Sequence, residues 1–66
     1  MRVTVNGTVT EIEEVATVAT LVAACGVGHD RVAVALNGDV VPRSGWAATR
    51  LAAGDDLELL APTAGG

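Results

Sequence analysis

MRVTVNGTVTEIEEVATVATLVAAC, residues 1–25, changes its hydrophobic period once, and that change decides the fold. Residues 1–5 alternate apolar and polar, the period of a half-buried strand. Asn6-Gly7 follows, a strong hairpin signal, because both central residues of a type I′ turn need positive φ. Residues 8–12 then return as a second strand. A two-residue turn sets Val5 against Thr8, Val3 against Thr10 and Arg2 against Glu11, and brings Met1 and Ile12 together on the core side. From residue 17 the period becomes helical. Val18, Leu21, Val22 and Cys25 fall at i, i+3, i+4 and i+7, one face of a helix. Thr17 is placed to cap its start and Gly26 to end it. A helix of about two turns is not stable alone in water, so it must pack on the sheet.

The same grammar continues. Gly28-His29-Asp30 reads as a loop. In residues 31–36, Val32, Val34 and Leu36 share one face of a strand and Ala33 and Ala35 the other. Asn37-Gly38 is a second hairpin turn, and Asp39-Val40-Val41 a short return strand. Pro42 ends it, since proline cannot donate to a ladder. Residues 44–50 read as irregular chain or one helical turn around Trp46. Ala53-Gly54-Asp55 is a turn, and residues 56–60 are the last strand, with Leu57 and Leu59 on one side and Glu58 and Leu60 on the other. The expected architecture is α+β: a small mixed sheet crossed on one face by one main helix, with its other face open. Residues 1–60 form that domain, and residues 61–66 a tail.

Composition narrows the function. Sixty-six residues make one small domain, which buries only about 60 % of the surface its unfolded chain exposes. Trp46 is the only aromatic residue, so the core must be thin and aliphatic. Such a domain has no room for a deep substrate cavity. The net charge is −4, from four arginines, no lysine and eight acidic residues. Phosphate backbones call for clustered positive charge, so nucleic acid is not the expected partner. An acidic surface suits a basic protein partner. Without lysine, the chain cannot receive an isopeptide bond on a side chain. The single cysteine, Cys25, excludes an internal disulfide and fits a reducing cytoplasm. Residues 15–25, the most apolar stretch, are too few to span a membrane, and the first residues do not read as a signal peptide.

Catalytic groups are scarce. One His and one Cys cannot assemble a zinc site. There is no phosphate-binding glycine loop and no nucleophile with a positioned base. The pairs Glu13-Glu14 and Asp55-Asp56 read as solvated turn residues. Cys25 reads as a small buried hydrophobe, His29 as a spectator, and Trp46 as a cap on the edge of the core. An enzyme is therefore not expected.

The tail remains. Residues 61–66, APTAGG, would reach about 20 Å when fully extended. Pro62 favours an extended path. Gly65 and Gly66 lack a Cβ and can enter a slot too narrow for other residues. That suits presentation of the Gly66 carboxylate deep in another enzyme's active site. ATP could adenylate it there, and a sulfur nucleophile could displace AMP to leave a thiocarboxylate.

The combination Val34-Ala35-Leu36-Asn37, Val41-Pro42-Arg43-Ser44, Trp46, Leu51, Gly54-Asp55, the strand at 57–60 and terminal Gly65-Gly66 resembles the ThiS family of thiamine biosynthesis, the ubiquitin-like sulfur carriers. The Asn6-Gly7 hairpin and the helix opening at Thr17 with Leu21 fit as well, so the resemblance spans the chain. It implies a ubiquitin-like β-grasp fold. It implies a ThiF-like adenylating enzyme that uses ATP and Mg²⁺ on Gly66, with no cofactor bound by the carrier itself. A sulfur donor such as a cysteine desulfurase and a ThiG-like thiazole synthase are the further implied partners. Pro62-Thr63-Ala64 departs from the family, which often carries an aliphatic residue or Gln just before the glycines. Leu60, Ala33 and Ala35, on the open sheet face, and Ala64 in the tail are the expected partner contacts. Two readings compete: a carrier for molybdopterin or cysteine synthesis, and a non-covalent ubiquitin-like binding module whose glycines are idle.

Overall fold

The computed structural model describes residues 1–25 and 32–60. Gly26, the Gly28-His29-Asp30 loop and residues 61–66 lie outside the described residues, so the C-cap and the tail cannot be compared with expectation. Five strands form one sheet: β1 (Arg2–Val5), β2 (Thr8–Glu11), β3 (Ala33–Leu36), β4 (Asp39–Val41) and β5 (Asp56–Leu60), in the order β2-β1-β5-β3-β4. One α-helix, α1 (Val18–Cys25), and a 3₁₀ helix, Arg43–Ala48, complete the described elements. β1 and β5 run parallel, and the other neighbours are antiparallel.

Both Asn-Gly turns do what their residues require. Asn6 and Gly7 have φ of 49° and 82°, and Asn37 and Gly38 have φ of 51° and 88°. These left-handed angles match the right-handed twist of the flanking strands. The first turn sets the expected register, with Arg2 opposite Glu11, Val3 opposite Thr10 and Val5 opposite Thr8. Arg2 Nε lies 2.6 Å from Glu11 Oε1. The pair is exposed, so it contributes at most about 1 kcal/mol.

Thr17 and Thr20 cap α1 reciprocally. The Thr20 N–H donates to Thr17 Oγ1 at 3.3 Å, and the Thr17 N–H donates to Thr20 Oγ1 at 2.8 Å. Threonine here fills the place that Glu or Gln takes in a capping box. The entry to α1 is tied down further by Val18 N–H to the Thr49 carbonyl, 3.0 Å, and Leu51 N–H to the Ala16 carbonyl, 3.0 Å. An eight-residue helix is thus held by cap, backbone and packing together.

Val18, Leu21 and Val22 of α1 meet Val3, Val34, Leu57 and Leu59 of the sheet, and Ala16, Val32, Trp46 and Leu51 close the sides of this core. Leu57, Val18 and Val22 are fully buried, and among the described residues no polar or charged residue is buried. Two side chains differ from expectation. Trp46 is not an edge cap but a member of the core, and its Nε1–H donates to the Val41 carbonyl at 2.9 Å. A ring this large can be buried because that one polar atom finds a partner. Cys25 is exposed rather than buried. The buried stripe of α1 is Val18, Leu21 and Val22; Cys25 is the last residue of the helix and lies beyond it. No described helix is long and apolar enough to cross a membrane.

Leu57→Ala should cost about 2–5 kcal/mol through lost burial and the cavity left behind, enough to unfold much of so small a domain. Val40→Ala, at a residue 76 % exposed, should change stability by less than about 0.5 kcal/mol. Urea unfolding of the two variants checks the contrast.

Candidate functional site

The strand pattern gives the sheet two unlike faces. Side chains alternate along a strand, and directly paired residues share a face. Val34, Leu57 and Leu59 face α1, so Ala33, Ala35, Glu58 and Leu60 face away from it. The register Ala35↔Val40 adds Val40 to that second face. Leu60 lies beside Ala33, while Ala35 lies between Glu58 and Val40.

Leu60 is 64 % exposed and Val40 76 % exposed. Ala33 is exposed and Ala35 half-buried. Together they make a flat apolar patch of small side chains with one larger aliphatic at each end. Glu58 lies within it and Asp56 flanks it on β5, while Asp39, paired with Leu36, belongs to the other face. An apolar area with Glu58 inside it and Asp56 beside it is suited to a protein surface that is largely apolar and carries basic residues to meet those carboxylates. Leu60, Ala33 and Ala35 are therefore brought together as expected. Ala64, Gly65 and Gly66 lie outside the described residues. Val40 was not singled out from sequence, although the two-residue turn at Asn37-Gly38 carries the signal: it sets Leu36 opposite Asp39 and so Ala35 opposite Val40.

β5 ends at the edge of this patch, and its end is fastened from the β1 side. Asn6 Oδ1 accepts from Leu59 N–H at 2.8 Å, and Asn6 Nδ2 donates to the Leu59 carbonyl at 3.2 Å. At the other end of β5, Asn37 Oδ1 accepts from Asp56 N–H at 2.9 Å.

A second surface feature lies between the end of β2 and α1. It is an open groove of about 580 Å³ lined by Met1, Ile12, Ala16, Leu21 and Ala24, with Glu11, Glu13 and Glu14 among its lining. Glu11 is committed to Arg2 and to the Met1 amine, 4.0 Å away. Among the described residues, no three His, Cys, Asp or Glu side chains cluster in a way that could hold a metal ion.

Comparison with known proteins agrees with this architecture. The model of the ThiS family matches residues 3–66. No curated protein matches the chain. A crystal structure of the thiamine biosynthesis protein ThiS from Geobacter metallireducens is similar with a TM-score of 0.84 at 36% sequence identity, covering 100% of this chain and 100% of that one. A solution NMR structure of a thiamine biosynthesis protein from the same organism has a TM-score of 0.83 at 36% identity, covering 100% of this chain and 88% of the other.

Leu60→Glu should leave thermal unfolding within a few degrees of the parent, because the side chain is exposed. It adds a charge to the apolar patch and should weaken binding of a protein partner that docks on this face about tenfold or more. Differential scanning calorimetry beside a titration with that partner checks both halves; unimpaired capture would remove the patch from the interface.

The sheet order with one helix across one face is the ubiquitin-like β-grasp fold, and a family match over nearly the whole length joins it to relatives of the same size and shape: the chain belongs to the ThiS family.

Proposed function

We propose that this chain is a sulfur carrier of thiamine biosynthesis and a protein cosubstrate rather than an enzyme. The observation that carries the reading is the placement of β5. Its last residue, Leu60, stands exposed at the edge of an apolar patch, and the six residues 61–66 that follow it carry Gly66. A partner that grips the patch would hold the root of a segment able to reach about 20 Å. Family membership and the thiamine biosynthesis relatives support the pathway.

In this reading the Gly66 carboxylate enters the active site of a ThiF-like enzyme. A carboxylate is a poor electrophile. Attack of its oxygen on the α-phosphate of ATP expels pyrophosphate and leaves an acyl adenylate, with Mg²⁺ and nucleotide both held by the partner. The outer sulfur of a persulfide on a donor such as a cysteine desulfurase then attacks the acyl carbon and displaces AMP, and a thiol reductant cleaves the resulting acyl disulfide to leave a thiocarboxylate on Gly66. A ThiG-like thiazole synthase takes that sulfur for ring formation. Gly65 and Gly66 serve by being narrow. The carrier brings no cofactor, and its work belongs in the cytoplasm. The patch of Leu60, Ala33 and Ala35, with Ala64 in the tail, is the proposed partner contact.

Intact-protein mass spectrometry tests this. After incubation with ATP, Mg²⁺, a ThiF-like enzyme and a sulfur donor, the chain should gain the mass difference of one oxygen replaced by one sulfur. Deletion of Gly66, or extension beyond it, should abolish the gain. No shift, with an enzyme shown to be active on another carrier, would leave a non-covalent binding module, which keeps its function when extended. A shift with no sulfur delivered to thiazole synthase would indicate a carrier for molybdopterin or cysteine synthesis.

A further inference from the structure

We propose that Asn6 is a positioning residue for the carrier terminus, acting through the main chain of Leu59. The inference rests on the function proposed above. β1 stops at Val5, where the chain turns away through Asn6-Gly7, yet β5 runs on to Leu60. The parallel ladder pairs Thr4 with Asp56 and Val5 with Leu57, and the Asn6 N–H donates to the Leu57 carbonyl at 2.9 Å. Past that bond, among the described residues no strand flanks Leu59 on the β1 side.

The Asn6 side chain takes the missing strand's place. Its Oδ1 accepts from Leu59 N–H at 2.8 Å and its Nδ2 donates to the Leu59 carbonyl at 3.2 Å. A side-chain amide thus acts as a peptide group and lengthens the ladder by one residue. Asparagine meets two demands at once. It tolerates the left-handed φ of 49° that the turn requires, and it carries a donor and an acceptor on one short, planar group. Glycine would keep the turn without the clamp. Aspartate would keep the acceptor but set an oxygen against the Leu59 carbonyl.

With the Leu59 backbone tied to Asn6 on one side and β5 paired with β3 on the other, Leu60 is held in register opposite Ala33 at the root of the tail. Without the clamp, β3 alone would hold the end of β5. A partner would then have to immobilise that end itself, a cost charged to binding. Asn37 provides a matched control. It occupies the same kind of turn with φ of 51°, and its side chain bonds Asp56 N–H and Asp55 Oδ1 at 2.9 and 3.1 Å. Its clamp is at the start of β5, away from the tail.

The test compares Asn6→Gly, Asn6→Asp and Asn37→Gly with the parent in two measurements. The first is steady-state ATP–pyrophosphate exchange with a ThiF-like enzyme, and the second is amide hydrogen exchange of the free carrier. N6G should raise KM for the carrier roughly 3- to 10-fold with kcat little changed, and N6D should do the same to a smaller degree. N37G should leave KM within about twofold while losing comparable thermal stability. Exchange at Leu59 should quicken in N6G and N6D but not in N37G. Equal rises in KM for N6G and N37G, or none in N6G, would overturn the positioning role. Unchanged exchange at Leu59 in both Asn6 variants would overturn the clamp. Failure of the parent to be activated would sink the proposed function separately, and hydrogen exchange would still decide the clamp.

Discussion

Burial of Leu57 is the interaction on which the structure depends. Its side chain is fully out of solvent in the middle strand of five, with α1 on one side of the sheet. The core around it is aliphatic apart from Trp46, and among the described residues it holds no buried polar group. The parallel β1–β5 pair must form before both halves of the sheet can share one core. That pair joins residues more than fifty positions apart. β5 also pairs with β3 across more than twenty residues, and only β1–β2 and β3–β4 are local hairpins, which form without such long-range closure.

Placing every core side chain on one face leaves the other face to function. The same alternation that buries Leu57 and Leu59 exposes Glu58 and Leu60. A helix on both faces would bury the patch, and one helix covers only one. The thinness of the domain and its exposed apolar patch are therefore one fact seen from two sides. A domain without a cavity can still take part in demanding chemistry if it delivers a reactive group to a partner that has one.

The two Asn-Gly turns show how few residues hold the central strand. Each asparagine accepts a left-handed φ for its hairpin and also spends its side chain on the β5 backbone, Asn6 at Leu59 and Asn37 at Asp56. Glycine alone would satisfy the turn angles and supply neither bond. The strand that leads to the tail is held at both ends by groups whose residue type looks, along the chain, like ordinary turn chemistry.

Local periodicity made most of the fold legible. The hairpin register, the start of α1 at Val18, the facing of Ala33, Ala35 and Leu60, and the bounds of β5 all follow from alternation, turn length and capping, because these depend on neighbours a few residues away. The proposal that the chemistry sits in the tail was also drawn from the sequence, by its terminal glycines and its resemblance to the family. Tertiary structure alone decided the strand order, the burial of Trp46, the exposure of Cys25, and the bridge from Asn6 to Leu59. Each of these depends on which distant segments meet. A helical stripe does not say how far the surface beneath it extends, and a turn residue does not say which strand will lie within reach of its side chain.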